Sequence, residues 1–559
     1  MMFALARTWP DKPLLRYHRD GAWHSIAWHE FGRMAASCAR HLRRAGVAAG
    51  DRVVIVSENR PEYPIAETAL MALRAVPVPT YVTNTIADHA HILRDCGARA
   101  AIVSSPALAG TLREAGRQAR GLDLLVVIEG PPDDAGGSPR LMHWGLLVAD
   151  PEPSDDIALE TASIPANTLA CLIYTSGTGG APKGVMLPHR SILSNCRGAF
   201  ELLRPLRLQD EVYLSYLPTS HSYEHTVGLF FLPSIGTEIA YCRGVEHLAA
   251  DMLTIRPTIL TAVPRVLEVI RSRVLTQVAR QAPWRQALFR RALQLGLKRV
   301  NRERLTLGER LLDRVLDRLV CAKVRARFGG RLKAAMSGGA RLEPEVGQFF
   351  LALGLMIMQG YGQTEAGPVI SANPPDAIRI DTVGRVLRDV ELRLAEDGEI
   401  LVRGDLVMDG YWGLPGATAA AIRDGWLHTG DIGALDDDDY LRITDRKKDM
   451  IVLSGGENVS PAKVEGLLMA EPEISQAVVA GDGRSSLTAL VVPADGHDDV
   501  SAALAVSRVN LRLSVTERIR RHAVVAPFTV ENGLLTPTQK IRRMLVLRAN
   551  SDVLARLHA

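Results

Sequence analysis

The sequence predicts an α/β protein with a large N-terminal domain of parallel-rich sheets and a small α+β C-terminal domain. Up to about Val386, helix-like and strand-like segments alternate, which is typical of βαβ units and a largely parallel sheet. After that point the strands are short and separated by turn signals, which indicates antiparallel hairpins. The chain, at 559 residues, is also too long for one ordinary hydrophobic core.

The elements of the first part follow from apolar periodicity. Helical spacing predicts helices, and continuous apolar runs between Gly or Pro residues predict buried strands. The predicted helices are residues 30–47, 63–76 and 87–98, and the predicted strands are residues 51–58, 76–82, 99–105, 122–130, 211–218, 256–264 and 354–362. Ligands of open α/β sheets bind beyond the carboxyl ends of the strands, so we expect the functional loops to gather there.

The C-terminal part mixes short strands with two predicted helices. The predicted strands are residues 390–404, 440–456, 474–482 and 487–494, and the predicted helices are residues 462–472 and 509–525. The charged segment TDRKKDMI (444–451) separates the two patterns of sequence. We therefore predict a domain of residues 1–445 and a second domain of residues 446–559.

The composition is typical of a soluble globular protein, with 47% hydrophobic residues, 23% charged residues and a net charge of +4. The six cysteines include no C-x-x-C pair, which argues against a zinc knuckle or a disulfide framework and favours a reducing cytoplasm. We expect no secretory signal and no membrane span, because the most apolar stretch, residues 226–241, is short and contains Pro233 and Glu238.

Positive charge is concentrated between Pro264 and Lys333, where nineteen Lys/Arg stand against five Asp/Glu. This basic insert also has strong helical periodicity, with Leu288, Ala292 and Leu295 on one face. Two interpretations remain open. The insert is either a surface attracted to anionic lipid headgroups or a solvated helical pair packed on the core.

The segment YTSGTGGAPKG (174–184) places a glycine-rich loop directly after a predicted strand. Backbone N–H groups of such a loop, together with hydroxyls and a lysine, form an anion-binding concavity. It is not a Walker A loop, because Pro182 precedes Lys183 and Gly184 follows it. A phosphate loop of another kind and an ordinary glycine-rich turn both fit the spacing.

Eight ordered motifs resemble those of the AMP-forming acyl-CoA synthetase family, the adenylate-forming superfamily that includes firefly luciferase. They are TSGTGGAPKG (175–184), LPTSHSYEH (217–225), SGGARL (337–342), YGQTEAG (361–367), GWLHTGDIG (425–433), DRKKD (445–449), LSGGENVSP (453–461) and LLTPTQKIRR (534–543). The helical insert and the last two motifs are most similar to the long-chain fatty acid–CoA ligase branch. The resemblance implies a β-barrel-like part in the large domain and a mobile C-terminal lid.

The resemblance also implies a two-step reaction that needs ATP, Mg²⁺ and coenzyme A. A fatty acid carboxylate attacks the α-phosphorus of ATP to give acyl-AMP and pyrophosphate, and the thiol of coenzyme A then displaces AMP. Both reactants are anionic, so the site must screen charge and align them.

The site residues are assigned through this resemblance. The phosphates would contact Thr175, Ser176, Gly177, Thr178, Gly179, Lys183 and Thr364, and Glu365 with Thr178 would hold Mg²⁺. The adenosine would contact Ser337, Gly338, Gly339, Tyr361, Gly362, Asp431 and Arg446, and Lys540 would contact the carboxylate and the α-phosphate. Lys448 would be the hinge, while His221, Gly455 and Gly456 would line the coenzyme A channel. Catalytic roles are expected for Lys540, Glu365, Thr178 and His221. One departure is Gly179, where the family usually has Thr, so a hydroxyl is missing from the cradle.

Several alternatives remain beside this hypothesis. An aryl, medium-chain or short-chain acyl-CoA ligase, or a ligase that loads a carrier protein, would use the same motifs. A protein that binds without catalysis is another alternative. The HSYEH segment (221–225) fits the H-x-x-E-H pattern of a zinc hydrolase, although Pro218 argues for a loop there. The DDDD segment (436–439) indicates a solvated turn rather than a metal site. We expect no nucleic-acid partner, a cytoplasmic location, and leave open peripheral contact with the inner face of the membrane and a homodimer.

Overall fold

The computed structural model describes residues 1–130, 139–150, 152–175, 181–455, 457–536 and 539–558. These residues form two compact units. Unit 1 contains residues 1–175, 183–391 and 402–427, and unit 2 contains the described residues of 181–182, 392–401 and 428–558. The predicted boundary between residues 445 and 446 lies within unit 2 and stays a prediction.

The helices are numbered in chain order. They are α1 (Met2–Thr8), α2 (Trp28–Arg44), α3 (Glu62–Ala72), α4 (Ile86–Cys96), α5 (Pro106–Ala119), α6 (Trp144–Leu147), α7 (Asp155–Ala162), α8 (His189–Leu203), α9 (Ser222–Thr226), α10 (Leu232–Ser234), α11 (Leu248–Ile255), α12 (Pro264–Ala279), α13 (Pro283–Val300), α14 (Leu307–Leu316), α15 (Ala322–Ala326), α16 (Pro344–Ala352), α17 (Pro415–Ala421), α18 (Pro461–Met469), α19 (Asp499–Asn510), α20 (Arg543–Ala549) and α21 (Ser551–His558). Two π-helical turns, Val227–Phe231 and Asp317–Cys321, continue α9 and α14.

The strands are numbered in the same way. They are β1 (Pro13–Arg19), β2 (Ala22–Ala27), β3 (Arg52–Val56), β4 (Val76–Thr80), β5 (Ala100–Val103), β6 (Leu124–Val127), β7 (Arg140–His143), β8 (Leu169–Thr175), β9 (Lys183–Pro188), β10 (Val212–Ser215), β11 (Glu238–Tyr241), β12 (Ile259–Ala262), β13 (Ala334–Ser337), β14 (Ile357–Gly362), β15 (Val369–Ala372), β16 (Arg385–Val386), β17 (Glu391–Leu394), β18 (Glu399–Arg403), β19 (Gly410–Tyr411), β20 (Ile422–Arg423), β21 (Trp426–Leu435), β22 (Leu441–Arg446), β23 (Ile451–Val452), β24 (Asn458–Val459), β25 (Ile474–Ala480), β26 (Leu487–Pro493) and β27 (Ile519–Val524).

The described part of unit 1 is built on three sheets. The largest has the order β16-β15-β14-β13-β12-β10-β11-β1-β2, and its inner strands from β14 to β1 run parallel. A second sheet, β4-β3-β5-β6-β7, is parallel throughout. A third, β19-β9-β8, is antiparallel. The predicted alternation of strands and helices is confirmed in this unit, since α2 to α5 alternate with β3 to β6 along the chain.

Local sequence signals set both ends of helix α4. Helix α4 begins at Thr85, whose side chain accepts a hydrogen bond from the Asp88 N–H while the Asp88 carboxylate accepts one from the Thr85 N–H. The helix ends at Gly97, whose φ of 64° is left-handed and suits glycine. The capping pattern T-x-x-D therefore sets one end and glycine sets the other.

The basic insert folds as α12, α13, α14 and α15, and packs on α16. Phe289, Ala292 and Leu295 of α13 are buried against this unit's core. A Cβ on Gly296 would lie 2.1 Å from the backbone oxygen of Ala352, so only glycine permits this close approach of α13 to α16. No helix among the described residues is long and apolar enough to cross a membrane.

Unit 2 contains the β21–β22 hairpin and an α+β layer of β25-β26-β27 with α18 and α19. The predicted second helix at residues 509–525 is wrong. Helix α19 lies earlier, and Ile519–Val524 forms β27, which pairs in parallel with β26. The side chain of Asn510 donates to the backbone oxygen of Ile519 and accepts from its N–H, which ends the helix and fixes the start of the strand.

Candidate active site

Three parallel strands of unit 1, β10, β13 and β14, lead at their carboxyl ends into predicted site motifs. Ala262 of β12 lies opposite Ser337 of β13, which lies opposite Gln359 of β14. Tyr361 follows two residues after Gln359, and His221 follows the end of the neighbouring strand β10. The loops that follow these neighbouring parallel strands lie at one edge of the sheet, whereas the glycine-rich loop follows β8 of the antiparallel sheet, so the gathering of all the functional loops stays a prediction.

The SGGARL segment leaves β13 in a tightly packed turn. The Gly338 N–H donates to the backbone oxygen of Ala262 at 3.1 Å, and the Tyr223 hydroxyl donates to the backbone oxygen of Met336 at 2.9 Å. A Cβ on Gly338 would lie 3.2 Å from the Tyr223 ring, which leaves little room there for a side chain. The Ser337 hydroxyl is buried and has no hydrogen-bond partner among the described residues, so it is a polar atom still to be satisfied.

The YGQTEAG segment is fixed in its turn by backbone packing. A Cβ on Gly362 would lie 1.8 Å from the backbone oxygen of Pro368, so this position admits only glycine. Thr364 is buried, and its hydroxyl lies 2.9 Å from the Ser222 hydroxyl at the start of α9. This contact joins the predicted Mg²⁺ motif to the predicted coenzyme A motif.

One tyrosine lies between the two charged groups that the sequence assigns to phosphate and metal. The Nζ atom of Lys183 lies 4.9 Å from the centre of the Tyr411 ring. The Tyr411 hydroxyl donates to Oε1 of Glu365 at 2.9 Å. Burial raises the pKa of Tyr411, and the negative charge of Glu365 adds to this effect. Tyr411 therefore stays protonated as a donor at neutral pH and links an ammonium to a carboxylate.

The strand that carries Tyr411 explains this placement. Tyr411 of β19 lies opposite Val185 of β9, two residues after Lys183. The Met408 N–H donates to the backbone oxygen of Glu365 at 3.0 Å, so the segment leading into β19 also holds the turn that carries the carboxylate. Sequence reasoning missed Tyr411. The pattern GYW (410–412), which places an aromatic residue in a two-residue strand, was its only signal.

The glycine-rich loop is anchored at both ends by one antiparallel pair. Thr175 at the end of β8 lies opposite Lys183 at the start of β9. The predicted phosphate contacts of Ser176, Gly177, Thr178 and Gly179, and the predicted role of Gly456, fall outside the described residues. The assignment of Thr178 to Mg²⁺ and the departure at Gly179 stay predictions.

The HSYEH segment forms no metal site among the described residues, and the remote zinc alternative is without support. His221 precedes α9 as its N-cap, and its Nδ1 accepts from the Tyr223 N–H at 3.2 Å. His225 is fully buried and pairs through Nε2 with Oε1 of Glu67 at 2.5 Å. The two histidines thus serve different partners. The segment is a short helix, and the interpretation of it as a loop holds only as far as His221.

Glu224 lies at the centre of a buried hydroxyl cluster. Its carboxylate accepts hydrogen bonds from Tyr213 and Ser215 of β10 and from Thr261 of β12. Burial raises the pKa of Glu224 to about 7, while the three hydroxyl donors act in the opposite direction. A Cβ on Gly228 would lie 2.7 Å from Glu224 Oε1, so this glycine leaves the space that the carboxylate fills.

Unit 2 brings together three of its predicted site residues. Asp431 of β21 lies opposite Arg446 of β22, and Asp431 Oδ1 is 3.1 Å from Arg446 Nε. Asp431 is almost fully buried, whereas Arg446 is largely exposed. The pKa of Lys540 is lowered by desolvation of its amine and by repulsion from Arg446, while Asp431 opposes the shift. Lys540, Arg446 and Asp431 therefore share one electrostatic environment.

Lys540 ends a tight turn. The Thr536 N–H donates to the backbone oxygen of Lys540 at 2.8 Å, and the Lys540 N–H donates to the Thr536 hydroxyl at 3.0 Å. Three residues later Arg543 pairs with Glu465 of α18 and donates to the backbone oxygen of Val479 at 2.7 Å. The turn is thus fastened to the α+β layer of unit 2.

The remaining predicted residues of unit 2 lie on turns. Lys448 is exposed in the turn after β22, while its neighbour Lys447 pairs with Glu399 at 2.9 Å. Gly455 lies in the turn between β23 and β24. The DDDD segment is a hairpin turn, in which Asp436 Oδ1 accepts from the Asp438 and Tyr440 N–H groups. The interpretation of that segment as a turn is confirmed.

The fold and the site together define an enzyme of the adenylate-forming class. Comparison with known proteins agrees, since the AMP-binding enzyme family matches residues 2–412 and the AMP-binding enzyme C-terminal domain matches residues 448–557. The chain belongs to the AMP-binding enzyme family.

Similar proteins include a bacterial ligase and a plant acyl-CoA synthetase. The chain is 33% identical to the long-chain-fatty-acid–CoA ligase FadD15 of Mycobacterium tuberculosis, over 98% of this chain and 94% of that protein. It is 28% identical to the peroxisomal long chain acyl-CoA synthetase 7 of Arabidopsis thaliana, over 97% of this chain and 83% of that protein.

Solved structures share the fold at low sequence identity. The anthranilate CoA ligase AuaEII in complex with anthranoyl-AMP superposes with a TM-score of 0.77 at 20% identity, covering 100% of this chain and 98% of that one. The O-succinylbenzoate coenzyme A synthetase of Bacillus subtilis, in complex with ATP and magnesium ion, superposes with a TM-score of 0.71 at 20% identity, covering 97% and 98%. The predicted fold class is confirmed.

Proposed function

We propose that this protein activates a long-chain fatty acid with ATP to give acyl-AMP and pyrophosphate, and then transfers the acyl group to coenzyme A. The observation that carries the proposal is the arrangement of Lys183, Tyr411 and Glu365. The Lys183 ammonium lies near the Tyr411 ring, and the Glu365 carboxylate accepts a hydrogen bond from the Tyr411 hydroxyl, so one tyrosine contacts both a cation and a carboxylate. A leaving pyrophosphate with its metal needs such a pair, because one group screens phosphate charge and the other binds the metal. The names of the ligase relatives support the choice of a long acyl chain.

The residues of unit 1 fit Mg²⁺ and the adenosine part of ATP. Glu365, whose carboxylate is held by the Tyr411 hydroxyl, would bind the metal, which would polarise the phosphates when bound. Lys183 would neutralise the β- and γ-phosphates from the start of β9. The unsatisfied Ser337 hydroxyl would donate to or accept from the nucleotide, with Tyr361 and Gly339 beside it.

The residues of unit 2 would act on the ribose and on the reacting carboxylate. The buried Asp431 would accept hydrogen bonds from the ribose hydroxyls, since a carboxylate with two oxygens matches a diol. Lys540 would bring the fatty acid carboxylate and the α-phosphate together against their mutual repulsion. In the second step a rotation of the C-terminal domain about Lys448 would replace Lys540 by the Gly455 turn. There, His221 would help to position the thiol.

A substrate panel tests the proposal. With ATP, Mg²⁺ and coenzyme A, kcat/KM for pyrophosphate release is expected to be at least about 10-fold higher with palmitate than with acetate or coumarate. The reason is that each buried methylene adds binding free energy of about 0.8 kcal/mol. Acyl-CoA formation is followed in the same samples. A faster rate with acetate or coumarate would contradict the chain length, and acyl-AMP without acyl-CoA would indicate a carrier-protein acceptor.

We further propose that the enzyme acts in the cytoplasm and meets the inner face of the membrane through the basic insert, residues 264–333. Its excess of Lys/Arg supports attraction to anionic headgroups, and its substrate class partitions into lipid. A homodimer also stays a proposal, to be tested by analytical ultracentrifugation.

A further inference from the structure

Helix α14 of the basic insert carries an apolar row on its solvent side. Residues four positions apart along α14 and the π-helical turn that follows it share one side of the helix. The exposed fractions are 83% for Leu307, 66% for Leu311, 45% for Val315 and 53% for Leu319. A soluble surface seldom aligns four large apolar side chains in this way, so the row needs a covering partner.

Arginines form a second row beside the first. Arg310, Arg314 and Arg318 are all exposed, and each precedes one residue of the apolar row by one position. The ion pairs that the described residues record on α14 use its acids instead. Glu309 pairs with Lys298 at 2.7 Å, and Asp313 pairs with Arg299 at 2.6 Å, both across to α13. The acids thus face inward and are neutralised, while the arginines face outward.

The inward side of the same helix is occupied by the protein core. Leu316 is 1% exposed and Cys321 is 2% exposed, both within the hydrophobic core of unit 1. A capping box between Thr306 and Glu309 fixes where the helix begins. The outward row therefore cannot turn toward the core. The helix has two apolar sides, of which one is already used.

We propose that this face of α14, residues 307–319, is a docking surface that lies flat on an anionic lipid bilayer. The leucine row would enter the boundary between headgroups and acyl chains, and the arginines would bind phosphate groups from beside it. The inference rests on the proposed function only in that a fatty acid substrate gives the enzyme a reason to be there. The arginines are exposed, and the nearby acids Asp313 and Asp317 pair with Arg299 and Arg325 instead, which favours a negatively charged surface over an apolar protein groove.

The test is sedimentation of the full-length protein with vesicles. Vesicles of phosphatidylcholine with 30% phosphatidylglycerol are compared with pure phosphatidylcholine. The wild-type protein is expected to bind the anionic vesicles at least about 10-fold more strongly, and the difference should shrink as NaCl rises from 50 to 500 mM. Equal binding to both vesicles, or no binding to either, would overturn the proposal.

Variants locate the surface. The double variant Leu311→Ser with Val315→Ser and the triple variant Arg310→Gln, Arg314→Gln, Arg318→Gln are each expected to lose about 10-fold in partitioning to anionic vesicles. The matched controls are Leu159→Ser, which changes an exposed leucine on α7, and the triple variant Arg44→Gln, Arg520→Gln, Arg556→Gln, which removes the same charge elsewhere. Both controls should bind as the wild type does. Equal loss in test and control variants would contradict the assignment to α14.

Two further measurements separate the explanations. Analytical ultracentrifugation without lipid should give the same molecular mass for wild type and for the leucine variant, and a wild-type dimer that this variant dissociates would show a second copy as the occupant and overturn the proposal. Pyrophosphate release with a detergent-solubilised fatty acid should be equal in wild type and variants. A wild type that binds vesicles but forms no acyl-AMP would refute the proposed function alone.

Discussion

Tyr411 connects Lys183 and Glu365, two residues that belong to separate sequence motifs. Its ring faces the Lys183 ammonium, where a cation is attracted to the aromatic face, and its hydroxyl donates to Glu365. Tyr411 thus contacts a cation through its ring and a carboxylate through its hydroxyl, and it helps to hold both side chains in place.

The variant Tyr411→Phe keeps the ring and removes only the hydroxyl. Without its donor, the Glu365 carboxylate is free to rotate, so we expect the Mg²⁺ concentration for half-maximal pyrophosphate release to rise about 10-fold or more, which corresponds to the loss of one hydrogen bond to a charged group. The contact of Lys183 with the ring remains, so KM for ATP at saturating Mg²⁺ should change less than about 2-fold.

The control for this prediction is the neighbouring Trp412→Phe, which removes the donor from Trp412 Nε1 to the backbone oxygen of Asp95. That variant should leave the Mg²⁺ dependence unchanged. An unaltered Mg²⁺ titration in Tyr411→Phe would contradict the role of the hydroxyl.

Glu224 predicts a pH dependence of stability. Its folded pKa is about 7 against 4.5 for the ordinary value, because burial disfavours the charged carboxylate. Below pH 4.5 the folded and unfolded chains both hold the proton. As pH rises toward 7, only the unfolded chain releases it, so the free energy of unfolding falls by up to about 3 kcal/mol.

The variant Glu224→Gln cannot ionise and therefore lacks this loss. We expect its Tm relative to that of the wild type to rise by several degrees between pH 5 and pH 8, as measured by thermal melting. The exposed Glu58→Gln should show a constant difference over the same range. A constant difference for Glu224→Gln would mean that the carboxyl is already ionised at pH 5.

The sequence motifs identified the charged residues of the site, but they did not identify Tyr411, the neutral residue that contacts two of them. Lys183, Glu365 and Asp431 lie in segments whose glycines and hydroxyls are informative within a few residues of chain. Tyr411 and Glu365 are far apart in sequence, and only the pairing of β19 with β9 brings them together. A single sequence carries no signal for such a contact, because the tyrosine itself is an ordinary strand residue.

At the scale of elements, residues 509–525 show where periodicity fails. The spacing of Leu511, Leu513 and Ile519 fits neither a helical nor a strand period alone. In the structure, α19 ends at Asn510 and β27 begins at Ile519. The deciding interaction is tertiary, since β26 is buried along nearly its whole length and requires a hydrogen-bonding strand on its open side. Among the parallel strands of unit 1, β10, β12 and β14 were predictable because each belongs to an apolar run that leads to Gly or Pro, whereas β1, β11 and β13 were not predicted.

The Arg543–Glu465 pair predicts that one side chain holds the Lys540 turn in place. Both groups are about 15% exposed or less, and Glu465 also accepts from the Val479 N–H at 2.7 Å. Breaking a buried pair leaves an uncompensated charge and costs about 3–5 kcal/mol. In Arg543→Met we expect pyrophosphate release to fall about 10-fold through kcat, with KM for ATP nearly unchanged.

Arg543→Lys should recover part of that loss, since a lysine restores the charge but not the second hydrogen bond. The exposed Arg548→Met, five residues further along α20, is the control and should be as active as the wild type. A fall in Tm without any fall in kcat would show that the pair stabilises unit 2 and has no effect on the turn.

At the scale of the whole molecule, charge is distributed unevenly. The sequence already indicated a basic helical insert, but not which side of its helices faces solvent. Helix α14 is apolar on two sides, and periodicity treats Leu316 and Leu311 alike. Only the packing of α14 on α13 and the core shows that Leu316 is buried and Leu311 is exposed.

The position of Lys540 in unit 2 predicts that one substitution can separate the two half-reactions. Lys540 lies in unit 2 near Asp431 and Arg446, and its amine is the group proposed to bridge the carboxylate and the α-phosphate. The second step starts from acyl-AMP, in which the bond between the carboxylate oxygen and the α-phosphorus already exists. The Lys540 amine is therefore not needed to align these two groups in that step. Loss of a cation that stabilises developing charge costs about 10²–10³ in rate.

We therefore expect Lys540→Ala to lower pyrophosphate release from fatty acid and ATP by about 100-fold or more. Thioester formation from preformed acyl-AMP and coenzyme A, measured in the same preparation, should stay within about 3-fold of wild type. The exposed Arg520→Ala should leave both rates unchanged. Equal losses in both steps would mean that Lys540 supports the fold of unit 2 or acts on the nucleotide in both reactions, and the division of labour between the two steps would then have to be assigned to another residue.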